Sequence, residues 1–238
     1  MKRKVVSADR LSDYLPEFVY GGIDGCVTTF AVVAGASRAK LDASVVIILG
    51  FANLIADGVS MSVGNYLSEK AEAHTYDKFR ERELWEIEHK REEEVEDVRE
   101  IYRKKGFEGE LLDQVVEVIT ADKDRWADTM MREEIKMIPS DKSPINCAIM
   151  TFVAFTIMGL IPLLVYLVDW LGAGVDKTML FPTSCVFTSF AFLFIGYLKS
   201  RVTETNAWQA MAETFLLGTV AAVLAYLVGV VLETAFLG

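Results

Sequence analysis

Two acids in this chain lie where water is scarce, and that placement is the first sign of chemistry. Asp24 sits within Gly21-Gly22-Ile23-Asp24-Gly25-Cys26, a stretch otherwise small or apolar. Further on, Asn53, Asp57, Met61 and Asn65 recur at intervals of four, which sets amide, carboxylate, thioether and amide along one slowly turning helical face. A carboxylate in hydrocarbon costs about 2.5–3.5 kcal/mol on insertion scales, so it faces a cavity, an ion path or a partner. Close helix packing accounts for Gly21, Gly22 and Gly25 but not for Asp24. Met61 alone would be a core or lipid-facing side chain. One turn beyond Asp57 it adds a softer donor to a hard one, a pair that suits a borderline first-row divalent ion better than Ca²⁺ or Mg²⁺.

A second set of donors lies in the polar middle of the chain: Glu83, Glu86, Glu94 and Asp97, then Met130 and Glu134, the last two again a methionine and a carboxylate four apart. Helical bundles hold divalent metal with carboxylates contributed by separate helices. On one straight helix the first four acids would share an arc of about 80°, with Lys90 projecting from its middle. Either the helix breaks near His89 to Glu92, or Lys90 neutralises part of the site. Glu86-Ile87-Glu88-His89 has the Glu-x-x-His spacing of di-iron carboxylate centres, which need two such motifs. Ala71 stands three before the only other histidine, His74, so an oxidase reading lacks its second half.

The elements that must position these groups follow from hydropathy. A spanning helix needs about 20 mostly apolar residues. Phe18 to Ser37, Ala43 to Leu67, Ile145 to Val168, Met179 to Leu198 and Ala207 to Leu232 meet that requirement. Between the second and third lies residues 69–143, with 23 acidic and 15 basic side chains and a net charge of −8 out of the −10 of the whole chain. Glu69 to Lys105 contains neither Pro nor Gly, so the second span continues as a long helix. Gly106 and Gly109 punctuate it. Leu111, Leu112, Val115, Val116 and Ile119 repeat at helical spacing, and Asp122 or Asp124 caps a third helix running to Met137.

The expected architecture is therefore all-α: a polytopic membrane protein with five transmembrane helices, two in residues 1–68 and three in 144–238, and a charged helical domain at 69–143. Four basic residues precede the first span (Lys2, Arg3, Lys4 and Arg10), fifteen lie in the insert, and Lys199 and Arg201 follow the fourth. Arg38, Lys40 and Lys177 fall on the other side. The N-terminus and insert are expected in the cytoplasm and the C-terminus outside it. With no targeting extension before the first span, a prokaryotic plasma membrane is favoured over a vacuolar one.

The acidic balance argues against a nucleic-acid partner, because phosphate needs clustered Lys and Arg. Cys26, Cys147 and Cys185, odd in number and all in apolar stretches, read as small buried hydrophobes rather than a disulfide framework. No glycine loop for phosphate is present, which leaves ATP coupling without support.

Taken together, Tyr20-Gly21-Gly22-Ile23-Asp24-Gly25, Ala56 to Leu67, Met130-Met131 with Glu134, and Gly159-Leu160-Ile161-Pro162-Leu163-Leu164 resemble the vacuolar iron transporter family. Nodulin-like relatives lack the charged insert, so its presence points to the full form. The resemblance implies a homodimer with its path between protomers, exporting Fe²⁺ from the cytoplasm in exchange for protons, with Mn²⁺, Zn²⁺ or Co²⁺ as further substrates and no prosthetic group. It further implies that Asp24 and Met61 are intramembrane ligands and that Glu83, Glu86, Glu94, Asp97, Met130 and Glu134 form a cytoplasmic metal-binding domain. Asp97 stands where Glu is more usual. Asn53 stands where better-known members have a transport carboxylate, for which Asp57 is the substitute one turn on. Glu213 reads as an interfacial carboxylate. The competing reading is a membrane iron sensor or interaction protein with an acidic helical arm, which would move no ion.

Overall fold

A computed structural model describes residues 13–39 and 41–236, and every regular element in it is helical. Lys2, Arg3, Lys4, Arg10 and Lys40, which carry part of the charge-asymmetry reading, lie outside the described residues. Five helices are long and apolar enough to cross a membrane, within Leu15–Arg38, Ala43–His89, Pro144–Ala173, Leu180–Thr203 and Ala207–Val228. The chain divides into two compact units, one of residues 1–67 with 142–238 and one of residues 68–141.

In the first unit, α1 (Leu15–Arg38) opens on Pro16, whose missing N–H costs nothing at a helix start. α2 (Ala43–His89) is apolar over its first half. A Cβ on Gly21 would lie 2.6 Å from the Thr151 carbonyl oxygen, and one on Gly25 would meet Phe155 backbone, so α1 and α6 (Pro144–Leu160) touch backbone to backbone. Small residues at this spacing are how helices associate where lipid offers no hydrophobic drive.

The third span is not one straight helix. Pro162 cannot donate to the preceding turn, and α6 passes through a 3₁₀ turn at Ile161–Leu163 into α7 (Leu164–Val168) and a wide turn at Asp169–Ala173. The Pro162 carbonyl is satisfied by the Ser184 hydroxyl, 2.6 Å away on α8 (Leu180–Thr203). α9 (Ala207–Phe236) completes the unit. Its core groups Val33, Val46, Leu54, Phe155, Leu163 and Tyr166, with a second cluster around Cys26, Met158, Phe192 and Ile195.

The second unit contains the far part of α2, then α3 (Arg91–Lys104), α4 (Gly109–Thr120) and α5 (Lys123–Glu133). Ile87, Val98, Leu112, Val116, Ile119, Trp126 and Met130 form its core. Leu111, expected on the same face as Leu112, is 56% exposed. Asp122 is the cap of α5, its carboxylate accepting from the Arg125 N–H at 2.8 Å. That helix stops at Glu133 rather than Met137, because Lys136 takes a left-handed conformation (φ 59°) that no α-helix accommodates. The long helix that continues the second span breaks within His89 to Glu92, one of the two alternatives stated for it: Lys90 has φ −129° and ψ 36°, separating α2 from α3.

Candidate metal sites

Within the first unit, Asp24 on α1 and Asp57 on α2 are both partly buried, and each lies within electrostatic reach of the other. The α1 backbone around Asp24 is tied by Thr28, whose hydroxyl donates to the Asp24 carbonyl at 2.8 Å. Neither residues 15–37 nor residues 43–69 contain a lysine or arginine, so the two helices offer these acids no cation of their own along the span.

The four-residue stripe on α2 divides by role. Asn65 donates to the Thr151 hydroxyl at 2.7 Å, which makes it a tie between α2 and α6 rather than a free donor. Asn53 is partly buried, and its amide nitrogen is enclosed with no hydrogen-bond partner. Met61 is partly buried and packs against the cluster containing Leu54 and Phe155, so one side of its chain serves the core. Glu213 is exposed and pairs with Lys199 at 2.8 Å, which agrees with its interfacial reading.

In the second unit, Glu83 and Glu94 are only 5% and 6% exposed, although both are acids. Each has one carboxylate oxygen enclosed without a partner. Burial pushes the Glu83 carboxyl up to about 7, with repulsion from Glu134, Glu86 and Asp97 adding to it and Arg82 opposing. Burial likewise raises Glu94 to about 7, followed by the charges of Glu83, Asp97, Glu86 and Glu134. Glu134 is raised by burial and then by Asp97 and Glu86. These mutual influences place all five carboxylates in one neighbourhood drawn from α2, α3 and the end of α5. Among the described residues, however, no three of them bring their oxygens within 4.8 Å of one another. Met130, fully buried, lies one turn before Glu134 and contributes to the core.

Both alternatives for Lys90 hold together. The helix breaks at this residue, and its ammonium lies 3.7 Å from Glu86 and 4.0 Å from Glu93. Arg82 approaches Glu86 as well, at 3.3 Å, so two cations attend this acid. The i,i+4 spacing of Arg82 and Glu86 is the signal that would have revealed this second cation. The His89 ring stacks on Trp85, with Nδ1 2.8 Å from the Trp85 carbonyl oxygen.

Sequence reading passed over Glu17. It is 8% exposed, pairs with Lys142 at 2.8 Å and encloses its second oxygen without a partner. Its partner is 125 residues away, and its place in a first helical turn looks like ordinary dipole compensation. Cys26 and Cys147 are buried and Cys185 partly so, and none of the three is in a disulfide.

Five apolar helices of spanning length, with acids rather than bases in the interior, define a polytopic integral membrane protein. A model of the VIT family matches residues 15–230, and the chain belongs to that family. It is 34% identical over 228 residues to a protein of Toxoplasma gondii named vacuolar iron transporter, covering 93% of this chain and 75% of that one. It is 33% identical to vacuolar iron transporter 1 of Oryza sativa (88% and 82% covered) and 31% identical to its namesake in Arabidopsis thaliana (91% and 85%).

Proposed function

We propose that this protein carries Fe²⁺ out of the cytoplasm in exchange for protons, acting as a homodimer with its N-terminus and acidic unit on the cytoplasmic side. One observation carries the reading: Asp24 and Asp57 are electrostatic neighbours on spanning helices that supply no lysine or arginine over residues 15–37 and 43–69. Two uncompensated acids within a bilayer require a cation from outside the protein. A proton and a divalent metal both meet that need, and they compete for the same oxygens. Alternate loading of one site by the two is the core of an exchange cycle. The relatives' names, vacuolar iron transporter, favour iron as the metal.

In this reading Met61 supplies a softer donor beside Asp57 and Asn53 a neutral one. Glu83, Glu86, Glu94, Asp97, Met130 and Glu134 collect the ion before translocation. Mn²⁺, Zn²⁺ and Co²⁺ accept the same donors, and their ranking comes from competition during flux.

The test is Fe²⁺ uptake into liposomes containing the purified protein, with an imposed pH gradient. Transport should depend on the gradient and alkalinise the lumen in step with metal entry, because protons leave in exchange. Asp24→Asn should abolish both. Normal flux through Asp24→Asn would remove the intramembrane site. Metal binding without flux in the unsubstituted protein would favour a sensor.

A further inference from the structure

We infer that the bundle carries a binding site for one phospholipid, with a single acyl chain lying in a cleft between α1, α8 and α9 and the phosphate at Arg38. The cleft has a volume of about 330 Å³ and is walled by five aromatic rings, Phe30, Phe181, Phe192, Phe215 and Tyr226. Phe30 and Phe181 stack with centroids 6.1 Å apart and close one wall. Phe215 and Tyr226 both line it, eleven residues apart on α9, so it runs about 16 Å along that helix. An elongated cleft with an apolar lining suits an extended hydrocarbon chain.

The bore opens sideways, not into the protein. Val223 is 51% exposed and Tyr226 39%, on the flank of a helix whose surroundings are lipid. Its end has a charge. Arg38, the last residue of α1, holds its guanidinium 6.0 Å from the Tyr226 ring centroid. A guanidinium has five N–H donors in a fixed fork that fits phosphate oxygens, and a helix terminus is at headgroup depth. An apolar bore ending at that cation matches a lipid that has both a chain and a phosphate. The small residue Ala222 leaves the space in the α9 wall, and Cys185 reports on it from α8.

Thr188, Ser189 and Thr219 bring hydroxyls to the bore and sharpen the test; Thr219 donates to the Phe215 carbonyl at 2.8 Å and is satisfied. Ser189 donates to the Cys185 carbonyl at 2.8 Å and is satisfied. The Thr188 hydroxyl is buried with no partner. A hydrocarbon chain makes no use of it, whereas a polar ligand at that depth would depend on it.

Delipidated full-length protein in neutral detergent is titrated with phosphatidylglycerol or with diacylglycerol of identical chains, and binding is read by native mass spectrometry and by the rate of maleimide labelling at Cys185. One phosphatidylglycerol per chain should bind about tenfold tighter than diacylglycerol and slow the labelling. Arg38→Gln should bind the two lipids alike. Ala222→Phe, which fills the bore from α9, should lose both the bound lipid and the protection, and Thr188→Val should keep both. Equal binding of the two lipids by the unsubstituted protein, or a preference that survives Arg38→Gln, overturns the phosphate site. Lipid loss in Thr188→Val overturns the chain assignment in favour of a polar occupant. Arg38→Gln and Thr188→Val decide the matter even if Ala222→Phe fails to fold.

Discussion

Substituting Glu83 by glutamine should stabilise the acidic unit at neutral pH while weakening its hold on metal. Both Glu83 and Glu94 have folded-state pKa values pushed from 4.5 to about 7. A carboxyl raised on folding favours the native state most below its unfolded pKa, and that advantage is lost as pH rises through the folded value. For one such group, linkage between about pH 5 and about pH 8 removes about 2.5 kcal/mol of stability. The charge of Glu83 is part of what raises Glu94, so the pair together should give between about 2.5 and 5 kcal/mol rather than a simple doubling. Because Glu83 is the largest charge acting on Glu94, Glu83→Gln removes its own share and part of its neighbour's. The slope with pH should fall by more than half. Hydrogen exchange of the full-length protein in detergent, with a chelator present and intrinsic rates corrected for pH, gives the opening free energy of residues 91–104 and 109–120. Saturating divalent metal should restore protection at high pH, by about 2.7 kcal/mol at a hundred times its dissociation constant. An opening free energy that stays flat with pH, or that falls in Glu83→Gln, would refute this account of two acids held apart from water until a cation arrives.

Lys90→Ala removes an exposed ammonium that pairs with Glu86 at 3.7 Å, so metal affinity of the acidic unit should rise several-fold by calorimetric titration while its unfolding midpoint hardly moves. Gly25→Ala would drive a Cβ into Phe155 backbone and should cost at least about 2–3 kcal/mol or abolish folding, whereas Gly35→Ala meets nothing within 4 Å and should be neutral or stabilising by up to about 1 kcal/mol; denaturation in mild detergent compares them. Asn65→Ala leaves the Thr151 hydroxyl without its 2.7 Å partner and should destabilise the bundle by about 1–2 kcal/mol without changing the metal selectivity of flux. Retained stability together with altered selectivity would place Asn65 in the ion path instead.

Much of the architecture was legible because lipid imposes long apolar runs and the insert breaks them with charge. What escaped was set by contacts distant in sequence. Spacing placed Asn65 with Asn53, Asp57 and Met61, but only the approach of Thr151 assigns it to α6. Spacing also put Leu111 beside Leu112, though α4 buries only the latter. The stop at Glu133 depends on the left-handed Lys136, a conformation rarely written in a lysine. Glu17 was invisible for the same reason, since its bond to Lys142 joins segments 125 residues apart.

The acids of this protein fall into two physical classes, and the division explains why both are needed for a moving ion. Glu86 has cations of its own at 3.3 and 3.7 Å, and Glu88, exposed, has its charge held by Lys123. A metal that reaches Glu86 must displace or share the cations already there. Glu83 and Glu94 are buried, each with an oxygen lacking any partner, and Asp24 and Asp57 have no lysine or arginine over residues 15–37 and 43–69 of their helices. For these, a cation from solution relieves repulsion and replaces lost hydration, so the driving force for binding is already stored in the fold. A resident lysine at either place would satisfy the acid permanently and end its usefulness. Leaving the acids uncompensated costs stability, and that same cost sets the preference for any mobile cation that reaches them, proton or metal.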